Sequence, residues 1–337
     1  MIALRVTKLI AVEGIPGSGK STAAQYISRL LSKNGIAHKW WYEEEWGHPV
    51  YVFHDAESLR QTVRDLTNGN YREVIRAALE RWQAFCSGVQ SSEEVVVIDG
   101  CLFGYLTWSL FPNGVDAREI REYVQNVERI IELLHPCVIY LHQRDVAASL
   151  RKTCDRRGEE TESQLIRAAE QSRYGQANGL AGFPGMVAYW RQYRALTDAM
   201  FERFAMPKLS IENGGGEWLD YERRIAAFLE LDRADNDEIG ASFELRPLAG
   251  TYRSDRDAGL HCTVLDTDGQ LIVDGLPHVW TSTPLLPRSP DAFEVASLPI
   301  AIRFDRRPGE PVRMHVTGPA LLAGEVDGVY TRTGDSV

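Results

Sequence analysis

The stretch from Leu9 to Thr22, LIAVEGIPGSGKST, constrains this chain more than any other. An apolar run of strand character, Leu9 to Val12, stops at Glu13. Gly14, Gly17 and Gly19 follow, and then Lys20, Ser21 and Thr22. Gly14, Gly19, Lys20 and Ser21 fit G-x-x-x-x-G-K-[ST]. Glycine reaches positive φ without strain and lets the backbone approach a ligand closely, so such a loop can turn its N–H groups inward as an anion nest. A helix starting near Lys20 adds free N–H groups and the positive end of its dipole at the same point. The expected phosphate-binding set is Gly14, Pro16, Gly17, Ser18, Gly19, Lys20, Ser21 and Thr22. In it Lys20 reaches the outer phosphates and the Ser21 hydroxyl faces Mg²⁺. The flanks meet the context the motif requires. Leu9 to Val12 reads as a buried strand, and Ala23, Ala24, Ile27, Leu30 and Leu31 recur at helical spacing. A chance match in a glycine-rich turn would not bring both flanks with it.

Strands and helices then alternate to about residue 230. Strand-like runs are His38 to Tyr42, Val95 to Asp99, Cys137 to Leu141 and Pro207 to Ile211. Helical stretches are Glu57 to Asn68, Tyr71 to Ser87, Asp116 to His135, Asp145 to Cys154, Ser163 to Tyr174, Gly185 to Phe204 and Glu217 to Leu231. Continuously apolar strands alternating with helices make a parallel sheet covered on both faces. The expected boundaries are an α/β domain over 1–232, a polar acidic linker over 233–241 and an all-β antiparallel domain over 242–337. Asp268-Gly269 is a hairpin turn signal in that last part, and short strands recur at similar spacing beyond it.

Composition excludes several classes. The net charge of -10 argues against general nucleic-acid binding, which needs a basic footprint. No run approaches the ~18 apolar residues of a membrane span. No basic segment followed by a long apolar core opens the sequence, so no signal peptide is expected. The five cysteines are scattered without a C-x-x-C pair, which fits reduced thiols in a cytoplasmic protein rather than zinc or a disulfide framework.

Further candidates sit at strand ends, where open α/β sheets bind ligands. Asp99 closes a β-branched run and is expected to hold Mg²⁺ or accept a proton from an acceptor hydroxyl. Glu43 and Glu45 follow the second strand, and either could serve as that base. Arg151, Arg156 and Arg157 cluster before Gly158, as in a lid that closes on transferring phosphate. Trp46, Phe103 and Tyr105 are candidates to line an acceptor pocket, within a wider aromatic set that includes Trp40, Trp41, Trp108, Tyr189, Trp190 and Tyr193. A solvated acidic turn, an exposed basic helix end and core aromatics are the plainer readings of the same residues.

The segment EGIPGSGKST resembles the phosphate loop of thymidylate kinases and deoxynucleoside kinases, where Glu-Gly opens the motif. The strand CVIYL followed by SLRKTCDRRGEE is similar to the lid entry of that family, and LSIENGGGEW to its adenine-side loop. The resemblance covers residues 8 to 231. It implies a P-loop kinase with a five-stranded sheet ordered 2-3-1-4-5, ATP as donor and Mg²⁺ as cofactor. The sequence departs from the family at Asp99-Gly100, where those kinases carry Asp-Arg or Glu-Arg. The C-terminal part resembles small lipocalin-like β domains. The expected function is phosphoryl transfer from a nucleoside triphosphate to a small-molecule acceptor: a nucleoside, a nucleotide or another hydroxylated or phosphorylated metabolite. A P-loop NTPase acting as a conformational switch is the alternative. The β domain is expected to carry no catalytic group and to serve docking, homodimer formation or coverage of the acceptor pocket.

Overall fold

The computed structural model describes residues 6–233 and 244–334. The chain divides into two compact units, Met1–Glu43 with Gly47–Arg233, and Glu44–Trp46 with Ala234–Val337. The acidic linker expected over 233–241 lies, from Ala234 onward, outside the described residues.

The first unit runs β1 (Leu9–Glu13), α1 (Lys20–Lys33), β2 (His38–Trp41), α2 (Ala56–Thr67), α3 (Tyr71–Gln90), β3 (Val95–Asp99) and α4 (Leu106–Leu110). It continues with α5 (Ala117–Ile131), β4 (Cys137–His142), α6 (Val146–Arg157), α7 (Glu159–Gln171), α8 (Arg173–Ala177), α9 (Gly182–Arg203), β5 (Lys208–Glu212) and α10 (Trp218–Leu229). The five strands form one parallel sheet ordered β2-β3-β1-β4-β5. This is the order the kinase resemblance implies. β1 and β3 are buried along their whole length, which is why their sequences run apolar rather than alternating. With β1 central, Ile10 pairs in register with Val97 on one side and Cys137 on the other. The loop after β1 therefore opens between two neighbouring strand ends, at the edge of the sheet where α/β folds bind ligands.

Helix ends follow local chemistry. Asp116 caps α5 by accepting the Arg118 N–H, and the stretch read as one helix to His135 closes in a 3₁₀ turn, Glu132–Leu134, before His135 at φ 46°. α3 buries Val74, Ala78, Trp82, Phe85, Cys86 and Val89 on one face. The Trp82 indole N–H finds Tyr123 Oη at 3.1 Å, so the buried ring keeps its polar end satisfied.

The second unit holds β6 (Gly250–Ser254), β7 (His261–Thr267), β8 (Gln270–Asp274), β9 (Thr283–Ser289), β10 (Ala292–Val295), β11 (Ala301–Asp305), β12 (Arg313–Thr317) and β13 (Gly328–Gly334). They close into an antiparallel barrel, each strand pairing with the next and β13 with β6. Closure removes the exposed edges an open sheet would leave. The β7–β8 hairpin turns at Asp268 (φ 52°) and Gly269 (φ 80°), and Asp266 accepts the Gly269 N–H. The sequence signal Asp-Gly required this pair of positive φ angles. Inward side chains of Tyr252, Val264, Val273, Phe293, Phe304 and Met314 are all buried, so the small barrel is filled by its own core.

Candidate active site

Two neighbours make glycine obligatory in the loop after β1. Gly19 has φ 91°, and a Cβ there would lie 2.7 Å from both Asn213 Nδ2 and the Trp218 ring. Gly17 has φ 79°, and its Cβ would lie 2.2 Å from Thr153 Oγ1. The loop is thus pressed by α6 through Thr153 and by the β5–α10 connection through Asn213 and Trp218.

Its carbonyls are held from behind. Gln143 Nε2 donates to the Gly17 carbonyl at 3.0 Å, and Asn213 Nδ2 to the Ser18 carbonyl at 2.8 Å. In a trans peptide the carbonyl and the next N–H point in opposite directions. Pinning Ser18 C=O outward therefore turns Gly19 N–H toward the ligand side. Among the described residues no side chain caps α1, whose first-turn N–H groups have no intrahelical partner. Ser18 Oγ is buried without a hydrogen-bond partner among the described residues. A nest of inward N–H groups, an uncapped helix start and an orphaned buried hydroxyl fit a bound phosphate chain.

Gln143 is itself positioned from α9. Arg194 donates to Gln143 C=O at 2.6 Å, to His142 Nδ1 at 3.0 Å and to Asp198 at 2.6 Å. The Tyr140 hydroxyl donates to the same Asp198 carboxylate at 2.8 Å. Nothing in the sequence pointed to this network, because its members lie ~50 residues apart and follow no motif.

Lys20 is 7% exposed, and its Nζ lies 2.6 Å from Glu43 Oε1. Burial opposes its charge, but the Glu43 and Asp99 carboxylates outweigh that and hold the ammonium above the usual lysine range. Asp99 is fully buried at the end of β3. The Arg157 guanidinium acts on Lys20 in the opposite sense, so it lies within electrostatic reach of the loop. Burial first and then the field of Arg157 lower Arg156. Arg151 is engaged elsewhere: it pairs with Glu162 at 3.0 Å and lies 3.7 Å over the Phe183 ring.

Glu13 ends β1. Its carboxylate is fully buried and accepts the Leu102 N–H at 2.8 Å and the Phe103 N–H at 3.0 Å. It thereby ties β1 to the segment that follows Asp99. Burial pushes its pKa up to about 8 against the two N–H groups, with the field of Asp99 adding to the rise. A carboxylate at the end of a buried strand is itself a signal, and it was present in the sequence.

Beside Glu43, the Tyr51 hydroxyl donates to the Glu43 carbonyl. The Tyr51 ring stacks on His48 at 4.5 Å and on Tyr105 at 4.1 Å. His48 Nε2 lies 3.3 Å from Cys101 Sγ, and burial lowers the imidazole to about 3, so it is neutral. Phe103 is a core ring stacked on Phe204. Trp108, Tyr189, Trp190 and Tyr193 pack on one another, with Trp108 and Trp190 stacked at 4.5 Å. Glu45 and Trp46 belong to the second unit. There Glu45 bridges Leu321, and the Trp46 N–H donates to the Ala320 carbonyl.

Among the described residues, no group of three or more His, Cys, Asp or Glu could hold a metal. Also among the described residues, no helix is long and apolar enough to cross a membrane.

A family model described as an AAA domain matches residues 10–170. Among solved structures, the chain is similar to the YorR protein of Bacillus subtilis, solved in complex with phosphorylated GDP. The identity is 14%, the match covers 66% of this chain and 95% of that one, and the TM-score is 0.35. No curated protein matches. The family match and the loop geometry support a P-loop nucleotide-binding fold in the first unit.

Proposed function

We propose that the first unit transfers the γ-phosphoryl group of ATP, with Mg²⁺, to a hydroxyl of a small-molecule acceptor. The observation that carries this reading is the buried Lys20 at the start of α1, behind the glycine loop, with its Nζ 2.6 Å from the Glu43 carboxylate. Hydrolysis driving a switch needs the nest and the lysine. A carboxylate held beside the lysine suits a phosphoryl group carried across to an acceptor hydroxyl.

The roles follow from chemistry. Backbone N–H groups of Gly17 to Thr22 bind the phosphate chain. Lys20 moves with the charge that grows on the outer phosphates, and Arg156 and Arg157 stabilise it from the α6 side. The Ser21 hydroxyl and the Asp99 carboxylate are the groups to hold Mg²⁺, whose chemistry is to neutralise phosphate oxygens. Glu43 takes the proton of the acceptor hydroxyl as its oxygen attacks. Glu13 and the Arg194 network do not touch the reacting atoms. They hold the strand ends that carry those residues.

The acceptor is a nucleoside, a nucleotide or another hydroxylated metabolite. Glu43 and Asp99 beside Gly100, where the similar kinases place an arginine, favour an acceptor without an anionic group at that end. Like charges at short range disfavour a phosphate there. The test is turnover of Mg-ATP by the purified protein across a library of hydroxylated metabolites. A kinase is slow alone and is accelerated by its acceptor. Steady hydrolysis that no acceptor changes would instead mark a switch.

A further inference from the structure

We infer that Lys20 exchanges partners during the cycle: the Glu43 carboxylate and the outer phosphates compete for one buried ammonium, so triphosphate binding releases Glu43 toward the acceptor. The inference rests on the phosphoryl-transfer reading above and adds a coupling between the donor and acceptor sides.

Three observations meet here. The Lys20–Glu43 contact is short, 2.6 Å, and the two side chains are 8% and 25% exposed, so it is a well-shielded pair. Gly100 makes the room for it. A Cβ at position 100 would lie 2.4 Å from Glu43 Oε2 and 2.9 Å from Lys20 Cε, and its φ is 68°. The departure from Asp-Arg to Asp99-Gly100 is thus the change that lets the carboxylate reach the lysine. Finally, the Tyr51 hydroxyl holds the Glu43 carbonyl, so the backbone stays fixed while only the side chain need rotate.

The phosphate chain must take Lys20 to bind well, because the nest supplies N–H groups and this residue adds a full charge at the start of α1. An ammonium bound at close range to a carboxylate gives up that hydrogen bond when phosphate arrives. The energy lost weakens nucleotide binding. In return, Glu43 swings free as a carboxylate, competent to accept a proton, only after the donor is in place. The order is donor first and acceptor second. No covalent bond changes in the exchange; one charge-assisted hydrogen bond is traded for another.

The test is a double-mutant cycle on the full chain, reading affinity for Mg-AMP-PNP by calorimetry, without turnover. Glu43→Gln keeps the shape and removes the competing charge. In the chain that retains Lys20 it should bind the analogue about tenfold more tightly, the scale of one charge-assisted hydrogen bond. In the Lys20→Ala background the same substitution should change affinity less than about twofold. Unchanged or weaker binding by Glu43→Gln overturns the exchange. Equal tightening in both backgrounds also overturns it, since that is general relief of repulsion. Failure of the wild-type chain to bind the analogue at all would instead remove the phosphoryl-transfer reading on which the exchange rests.

Discussion

Glu13→Gln tests the buried carboxylate at the heart of the sheet. In the fold Glu13 is fully buried and held at a pKa of about 8, against an ordinary value of 4.5. Between those two values the folded chain keeps a proton that the unfolded chain has released. Stability is therefore intact below pH 4.5 and is lost as pH rises toward 8. The slope is about 1.4 kcal/mol per pH unit, so the whole window is worth about 5 kcal/mol as an upper bound. Glutamine removes the titration but keeps one acceptor oxygen for the Leu102 or Phe103 N–H. The lost second bond costs about 1–2 kcal/mol, independent of pH. The cleanest assay counts protons released on urea unfolding at pH 6.5, because it does not need a two-state transition in a chain with two units. Wild type should release about one proton more than Glu13→Gln. Equal release by the two proteins would refute the placement of a neutral carboxyl at this position.

Other expectations concern the loop and the lid. Lys20→Ala should leave the fold intact and lower phosphoryl transfer by at least about 10³-fold, measured as acceptor-dependent ADP formation. Gly19→Ala should abolish nucleotide binding, since its Cβ would meet Asn213 and Trp218 at 2.7 Å. It should also lower thermal stability by about 1–2 kcal/mol for the left-handed backbone alone. Hydrogen exchange should slow at Arg156 and Arg157 when Mg-AMP-PNP saturates the protein. The middle of α6 around Arg151, already paired with Glu162, should change less. Equal exchange across the segment in both states would remove the lid.

Much of this molecule was legible because local chemistry and global fold agree. The loop could be read from its glycine spacing, since each glycine answers a backbone demand. The β7–β8 turn could be read because Asp268-Gly269 reaches φ angles that few other pairs reach. Boundaries were softer. α7 begins at Glu159, four residues before the helical pattern starts, because Gly158 at φ 89° ends α6 and three glutamates then fill the first turn of α7. A helix N-terminus favours that negative charge. α4 is short and mostly apolar, so it carries no period to read. The site residues that escaped share one property. The partners of Glu13 are backbone N–H groups of Leu102 and Phe103, those of Gln143 and Asn213 are loop carbonyls, and Arg194 works through Gln143. Backbone partners leave no trace in residue identity. Arg151, a lid candidate by its charge, pairs with Glu162 and lies over the Phe183 ring, contacts its sequence neighbourhood does not signal.

The central claim is that this P-loop serves transfer to an acceptor. It is tested most directly by following the γ-phosphate of Mg-ATP in the presence and absence of hydroxylated metabolites, with Lys20→Ala as the control. The account predicts slow release to water alone, strong acceleration by one class of hydroxylated acceptor, label recovered on that acceptor, and loss of all of it in Lys20→Ala. Turnover that no acceptor accelerates, with all the label recovered as inorganic phosphate, would contradict it.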